Sequence, residues 1–183
     1  SEQAVVAIEN AQLFEQTEEL TLGSIKTINE LLERHFGEKR GHLAVVGQVA
    51  VEVGKVLELS GLELIHIERA ILLLDTGRLG LIDRSWEKKE KLTRRELAQV
   101  RSIPLRGASL LKSMTSLKPI IPIIMHHHER FDGKGYPRGL KGEEIPVGAR
   151  IVSVVDSFMA MVSKRPYKPQ LSVKEAVEAT RKH

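Results

Sequence analysis

Residues 126–137 read HHHERFDGKGYP, and residues 149–168 read ARIVSVVDSFMAMVSKRPYK. Three adjacent imidazoles thus close an apolar run, PIIPIIM, and lead into a loop rich in glycine and proline that extends to Gly148. PIIPIIM is β-branched, as is VVAIEN near the start of the chain, but neither alternates apolar with polar residues or is bounded by hairpin signals. The reading is therefore helix, long loop, helix. Gly133 and Gly135 open loop conformations closed to other residues, and the ring of Pro137 after Tyr136 fixes the exit. Three consecutive histidines also suit a solvated cluster or a tag-like accident. Tags lie at termini, however, and this run is internal.

Working outward, Ser60, Thr93 and Ser172 each stand three residues ahead of a glutamate, Glu63, Glu96 and Glu175, before a helical pattern. This is the reciprocal arrangement of a capping box, so each marks a helix start. Gly77 and Gly80 are expected to close the helix that ends in ILLLD, and Pro104 to open another at its first turn. From Ala4 to Arg34 the chain has no proline and a single glycine, Gly23, with Ile25, Ile28, Leu31 and Leu32 at helical spacing. One long helix or two in series fits that pattern. The expected fold class is all-α, a helical bundle preceded by a long N-terminal connector helix.

At 183 residues the chain can bury one core of ordinary size. Hydrophobic residues make up 42% and charged residues 28%, an ordinary balance for a water-soluble domain, and no apolar run approaches the roughly 20 residues that span a bilayer. The start, SEQAVVAIEN, lacks the cationic and apolar segments of a signal peptide. A cytoplasmic setting is expected. The net charge of +4 is spread among nearly as many acids as bases, and one Trp, two Tyr and four Phe offer few stacking platforms, so DNA or RNA is a poor fit. Without cysteine there is no disulfide or thiolate site, and any metal must be held by His, Asp and Glu.

The twelve residues 126–137, with Asp156 and the RPYK segment beyond, resemble the second half of an HD-GYP domain, a metal-dependent phosphodiesterase family with an HD-domain-like helical bundle. The resemblance assigns residues 35–183 to that domain, with further helix expected after the end. It implies metal ligands at Glu38, His42, Asp75, His127, His128 and Asp156. Glu38 and His42, four residues apart, point to one spot if they share a helix; a surface pair is the bland alternative. Asp75, which bridges metals in the family and carries the catalytic role, follows an apolar run. Buried there it needs a partner: a metal, Arg78 one turn on, or backbone N–H groups. Iron or manganese is the implied cofactor.

Ligand contacts carry over to Arg78, where the family usually has lysine, to Tyr136, placed to stack on a guanine or line a protein contact, and to Arg165 and Lys168, placed against the phosphates of cyclic di-GMP. Asp132, Gly133, Gly135, Tyr136 and Pro137 form the loop through which the resemblance implies docking of a GGDEF-type protein. Residues 1–34, with AVVAIENAQLFEQTEEL, resemble the last helix of a GAF sensor domain and its connector. That implies a sensor upstream and a homodimer through the N-terminal helix; an ordinary amphipathic helix is the alternative.

Four positions depart from the family pattern. Leu74 stands for the histidine of the His-Asp pair and Ile103 for another ligand histidine, while Met159 and Val162 replace an aspartate and a threonine. All four are apolar. The expectation is that part of the cavity has been refilled as core, leaving a catalytically impaired regulatory or ligand-binding module. The alternatives are an active phosphodiesterase for cyclic di-GMP or another phosphoester, and a protein-interaction module.

Overall fold

Three reciprocal caps set helix starts where the sequence places them. The backbone N–H of Ser60, Thr93 and Ser172 donates to the carboxyl of Glu63, Glu96 and Glu175 at 2.9, 2.8 and 2.8 Å, and each glutamate's N–H donates back to the Ser or Thr hydroxyl at 3.3 Å. The computed structural model describes residues 1–36, 42–79, 81, 91–163 and 170–181. Among them seven α-helices and no strand are found: α1 (Glu2–Phe36), α2 (His42–Val56), α3 (Gly61–Leu72), α4 (Arg94–Leu111), α5 (Ile121–His126), α6 (Val147–Val162) and α7 (Val173–Thr180). Short 3₁₀ turns cover Leu74–Arg78, Thr115–Ile120 and Gly142–Glu144. The all-α expectation holds, and no described helix is long and apolar enough to cross a membrane.

The chain divides into two compact units, Ser1–Arg40 and Gly41–His183. In the first, α1 is one uninterrupted helix, the simpler of the two readings. In the second, α2 packs on α3 and on α6, α3 and α5 pack on α6, α7 closes against α6, and α4 lies against α5 and the first 3₁₀ turn. The core is aliphatic: Val46, Ile67, Ile71, Leu73, Leu117, Ile120, Ile124, Ile145 and Val152 are all fully buried. Each such side chain contributes about 1.5–3 kcal/mol by leaving water. The run PIIPIIM enters this core through Ile120, Ile123 and Ile124, which explains its β-branched content without a strand.

Two local expectations are corrected. Gly77 does not end an α-helix, since α3 stops at Leu72 and Gly77 lies inside the following 3₁₀ turn; Gly80 lies outside the described residues. The turn forms because Leu73 N–H bonds Ala70 O and Thr76 N–H bonds Leu73 O, three residues back rather than four. Gly77 is needed for close approach: a Cβ there would collide with the Ile103 carbonyl of α4 and come within 2.8 Å of Gly107 N. Pro104, likewise, does not open a helix but sits inside α4, which the Thr93 cap had already started. An interior proline costs about 3 kcal/mol in an isolated helix. Here its ring is fully buried, and tertiary packing outweighs the local preference.

Gly77→Ala is therefore expected to lower stability by about 1–3 kcal/mol through overpacking against α4. Gly61→Ala, at a position with open space around it, is expected to be near neutral. Urea unfolding of both variants beside the wild type checks this contrast.

Candidate functional site

α5 is only six residues long, and it delivers a pair of histidines to the inside of the bundle. His127 is buried, and its Nδ1 lies 2.8 Å from Ile124 O, one turn back. A carbonyl can only accept, so Nδ1 carries the proton and Nε2 keeps its lone pair for a cation or a donor. The His128 ring lies 4.0 Å from that of His127, and the Tyr136 ring 4.9 Å from that of His128. The Tyr136 N–H donates to His128 O at 3.2 Å, which ties the loop back to the histidine pair. The guanidinium of Arg101 from α4 stands over the Tyr136 ring, 5.8 Å from its centroid.

Charge on the other side comes from the first 3₁₀ turn and from α6. Arg78 Nε lies 2.8 Å from Asp75 Oδ1, both largely shielded from water. Of the three partners open to Asp75 on sequence grounds, Arg78 is thus present. Burial holds the His127 imidazole below the ordinary histidine range; its bond to Ile124 O and the nearby Asp156 oppose that shift, and Arg78 adds to it. Burial likewise pushes His128 down to about 3, helped by His127 and Arg78. Both rings are therefore neutral at neutral pH, the state in which an imidazole can coordinate a metal. Burial raises the Tyr136 phenol, with Arg101 opposing.

The loop 127–146 has its own anchor, which the sequence reading missed. Glu129 is 2% exposed, and its carboxyl accepts the N–H groups of Arg138 at 2.6 Å and Leu140 at 3.1 Å. Gly135 crosses so close to this residue that a Cβ would collide with the Glu129 backbone, at 2.6 Å from its carbonyl carbon. At the tip, Asp132 accepts from Arg130 at 2.8 and 3.0 Å and from Lys134 N–H at 3.0 Å, and these bonds hold its carboxyl well below the usual range. A single acid between an imidazole run and a Gly/Pro loop was the available signal for Glu129. His126 Nδ1 is buried 3.6 Å from Glu129 Oε1, beyond hydrogen-bond distance.

Of the expected site residues, Asp75, Arg78, His127, His128, Tyr136 and Asp156 are linked in pairs: Asp75 to Arg78, Arg78 to both histidines, Asp156 to His127 and Tyr136, and His128 to Tyr136. Asp75 stands on the 3₁₀ turn rather than on the end of an α-helix. Asp132, Gly133, Gly135 and Pro137 lie on the anchored loop, with Asp132 engaged by Arg130. His42 is the half-buried first residue of α2. Glu38, Arg165 and Lys168 lie outside the described residues. Among the described residues no three of His, Asp and Glu gather closely enough to hold a metal ion, so this subset is not by itself a ligand set. At the departing positions, Leu74 and Ile103 are buried, whereas Met159 and Val162 are half-buried.

A family model described as the HD domain matches residues 6–183. The chain belongs to the HD-domain family. Relatives of this HD domain include a cyclic di-GMP phosphodiesterase of Thermotoga maritima, 36% identical over 169 residues that cover 90% of the chain and 45% of that protein. A cyclic di-GMP phosphodiesterase response regulator of Xanthomonas campestris pv. campestris is 37% identical, over 84% of the chain and 41% of its own length. The fold is also that of a cyclic GMP-AMP specific phosphodiesterase crystal structure from V. cholerae, with TM-score 0.59 and 21% identity over 78% of this chain and 39% of that one. The HD domain thus spans less than half the length of the curated relatives it matches.

The depressed histidines set a direction for stability. Unfolded His128 takes a proton near 6.5, the folded one only near 3, so between these values the unfolded chain binds more protons. Metal-free protein is expected to hold the full contribution above pH 6.5 and to lose it steadily as pH falls toward 3; melting temperature against pH checks this. Glu129→Gln should weaken two charge-assisted bonds, each contributing about 1.5–3 kcal/mol, and speed amide exchange at Arg138 and Leu140 before global unfolding.

Proposed function

We propose that this HD domain is the HD-GYP-type output module of a bacterial cyclic di-GMP signalling protein, catalytically impaired and acting by binding a ligand or partner. The observation that carries this reading is the burial of Leu74 and Ile103, aliphatic side chains at positions where the HD-GYP resemblance calls for metal-binding imidazoles. They lie on two segments in direct contact, since Gly77 of the Leu74–Arg78 turn meets the Ile103 backbone. An aliphatic group there stabilises the core and supplies no inner-sphere bond. A bound metal would in this family lower the pKa of a water and neutralise phosphate charge. Its remaining ligands would be His42, Asp75, His127, His128 and Asp156, with Glu38.

Ligand recognition in this reading falls to Arg78 and Tyr136 inside the described site, and to Arg165 and Lys168 beyond it. Arg78 presents cationic charge beside neutral imidazoles, which suits a phosphodiester, and Tyr136 offers a ring to a base. Relatives that act on cyclic di-GMP and on cyclic GMP-AMP support a cyclic dinucleotide as ligand. One observation favours a second reading, an active phosphodiesterase: His127 is aligned with Nε2 unprotonated, as a working ligand would be.

Protein purified without oxygen is expected to carry fewer than two metals per chain and to bind cyclic di-GMP without hydrolysing it. Two or more tightly held iron or manganese ions with robust turnover would establish the second reading. Leu74→His with Ile103→His should raise manganese occupancy while costing about 1–3 kcal/mol for each imidazole left without a partner. Added manganese should then lift the melting temperature of the double variant more than that of the wild type, because a ligand bound only by the folded state stabilises it. An equal or smaller rise would withdraw both positions from the metal site.

A further inference from the structure

Two guanidinium groups border the histidine–tyrosine cluster, and each stands at a different member of it. Arg78, from the Leu74–Arg78 turn, acts electrostatically on His127 and His128 and gives its Nε to Asp75 at 2.8 Å. Arg101, from α4, acts on Tyr136 and stands over its ring, 5.8 Å from the centroid. Among the described residues no hydrogen bond or ion pair holds the Arg101 side chain, and it is exposed to water. Its forked N–H donors are available to a ligand.

Both Arg101 and Tyr136 ride on backbone that packing fixes. Arg101 lies two residues before Ile103, whose carbonyl Gly77 approaches so closely that a Cβ there would collide with it. Tyr136 is tied by its N–H to His128 O at 3.2 Å, and its ring lies 4.9 Å from that of His128. Leu97 and Leu105, four residues before and after Arg101, add apolar side chains to the same face of α4, a surface suited to an arginine stem whose charged head lies elsewhere. An aromatic platform and a forked donor set are thus held together in the absence of any ligand.

We infer that Arg101 and Tyr136 form a guanine subsite, in which the base lies on the Tyr136 ring and the Arg101 guanidinium donates to its O6 and N7. The inference rests on the reading of this module as a binder of cyclic dinucleotides and names the base it selects. A guanidinium can grip either a pair of phosphate oxygens or the O6/N7 edge of guanine. Position decides for the base: the group beside Arg101 is the aromatic ring, whereas the cation beside the imidazoles is Arg78. Adenine carries an amino donor at N6 where guanine carries the O6 acceptor, so the same fork would meet a donor with a donor. Both dinucleotides on which the relatives act, cyclic di-GMP and cyclic GMP-AMP, contain guanine.

Calorimetry of the full chain with cyclic di-GMP and cyclic di-AMP tests this, with GMP and AMP as probes that need no dinucleotide cleft. The wild type should favour each guanine ligand over its adenine counterpart by about tenfold or more, the worth of one bidentate pair. Arg101→Ala should remove that preference by weakening the guanine ligands alone. Arg101→Gln, whose amide pairs with adenine N6 and N7, should turn the preference toward adenine. Because Arg101 is exposed, both variants should melt close to the wild type and so report binding rather than folding. Equal weakening of guanine and adenine ligands by Arg101→Ala would put the residue at a phosphate and overturn the guanine subsite, with cyclic dinucleotide binding left standing. A guanine preference that survives both changes would overturn it too, and reduce the Arg101–Tyr136 contact to a structural one. Arg101-dependent preference for GMP without binding of cyclic di-GMP would support the subsite and overturn the dinucleotide reading, and binding of none of the four would overturn both.

Discussion

One buried carboxyl organises the loop beside the site. Glu129 holds Arg138 and Leu140 by their backbone N–H groups, nine and eleven residues further along the chain. A loop that long would otherwise lose conformational entropy with little return. Because Glu129 follows directly on His127 and His128, the same anchor fixes where Tyr136 returns, and Tyr136 then bonds the His128 carbonyl and lies beside its ring. Gly135 fits this scheme for a steric reason, since the chain passes too near the Glu129 backbone for any side chain. Loop, tyrosine and histidine pair are thus one mechanical unit.

The second constraint is electrostatic. Asp75, Arg78, Asp156 and two imidazoles share a confined region, and a carboxyl placed there needs a compensating charge. Arg78 supplies one at 2.8 Å, three residues along the same turn. That contact gives Asp75 a partner that does not depend on a metal.

What could be read from the sequence follows from the range of each interaction. The capping boxes at Ser60, Thr93 and Ser172 span four residues, and all three mark the helix starts correctly. The helical course of α1 was legible from the absence of proline, which left one long helix or two in series open. Gly77 and Pro104 were misread because local rules treat glycine as a stop and proline as a start, whereas both are placed by the packing of one 3₁₀ turn on α4. Glu129 escaped notice since its partners lie a full loop away, and Arg101 because a cation on an amphipathic helix has no local mark of facing an aromatic ring.

The departures from the HD-GYP pattern divide along burial. Leu74 and Ile103, where the resemblance implies metal ligands, are buried in the core, while Met159 and Val162, near the end of α6, are half-buried. An aliphatic residue in the core gains transfer free energy that an exposed one does not. The first pair therefore has a stabilising reason to persist that is separate from any chemistry, and the second pair has less of one.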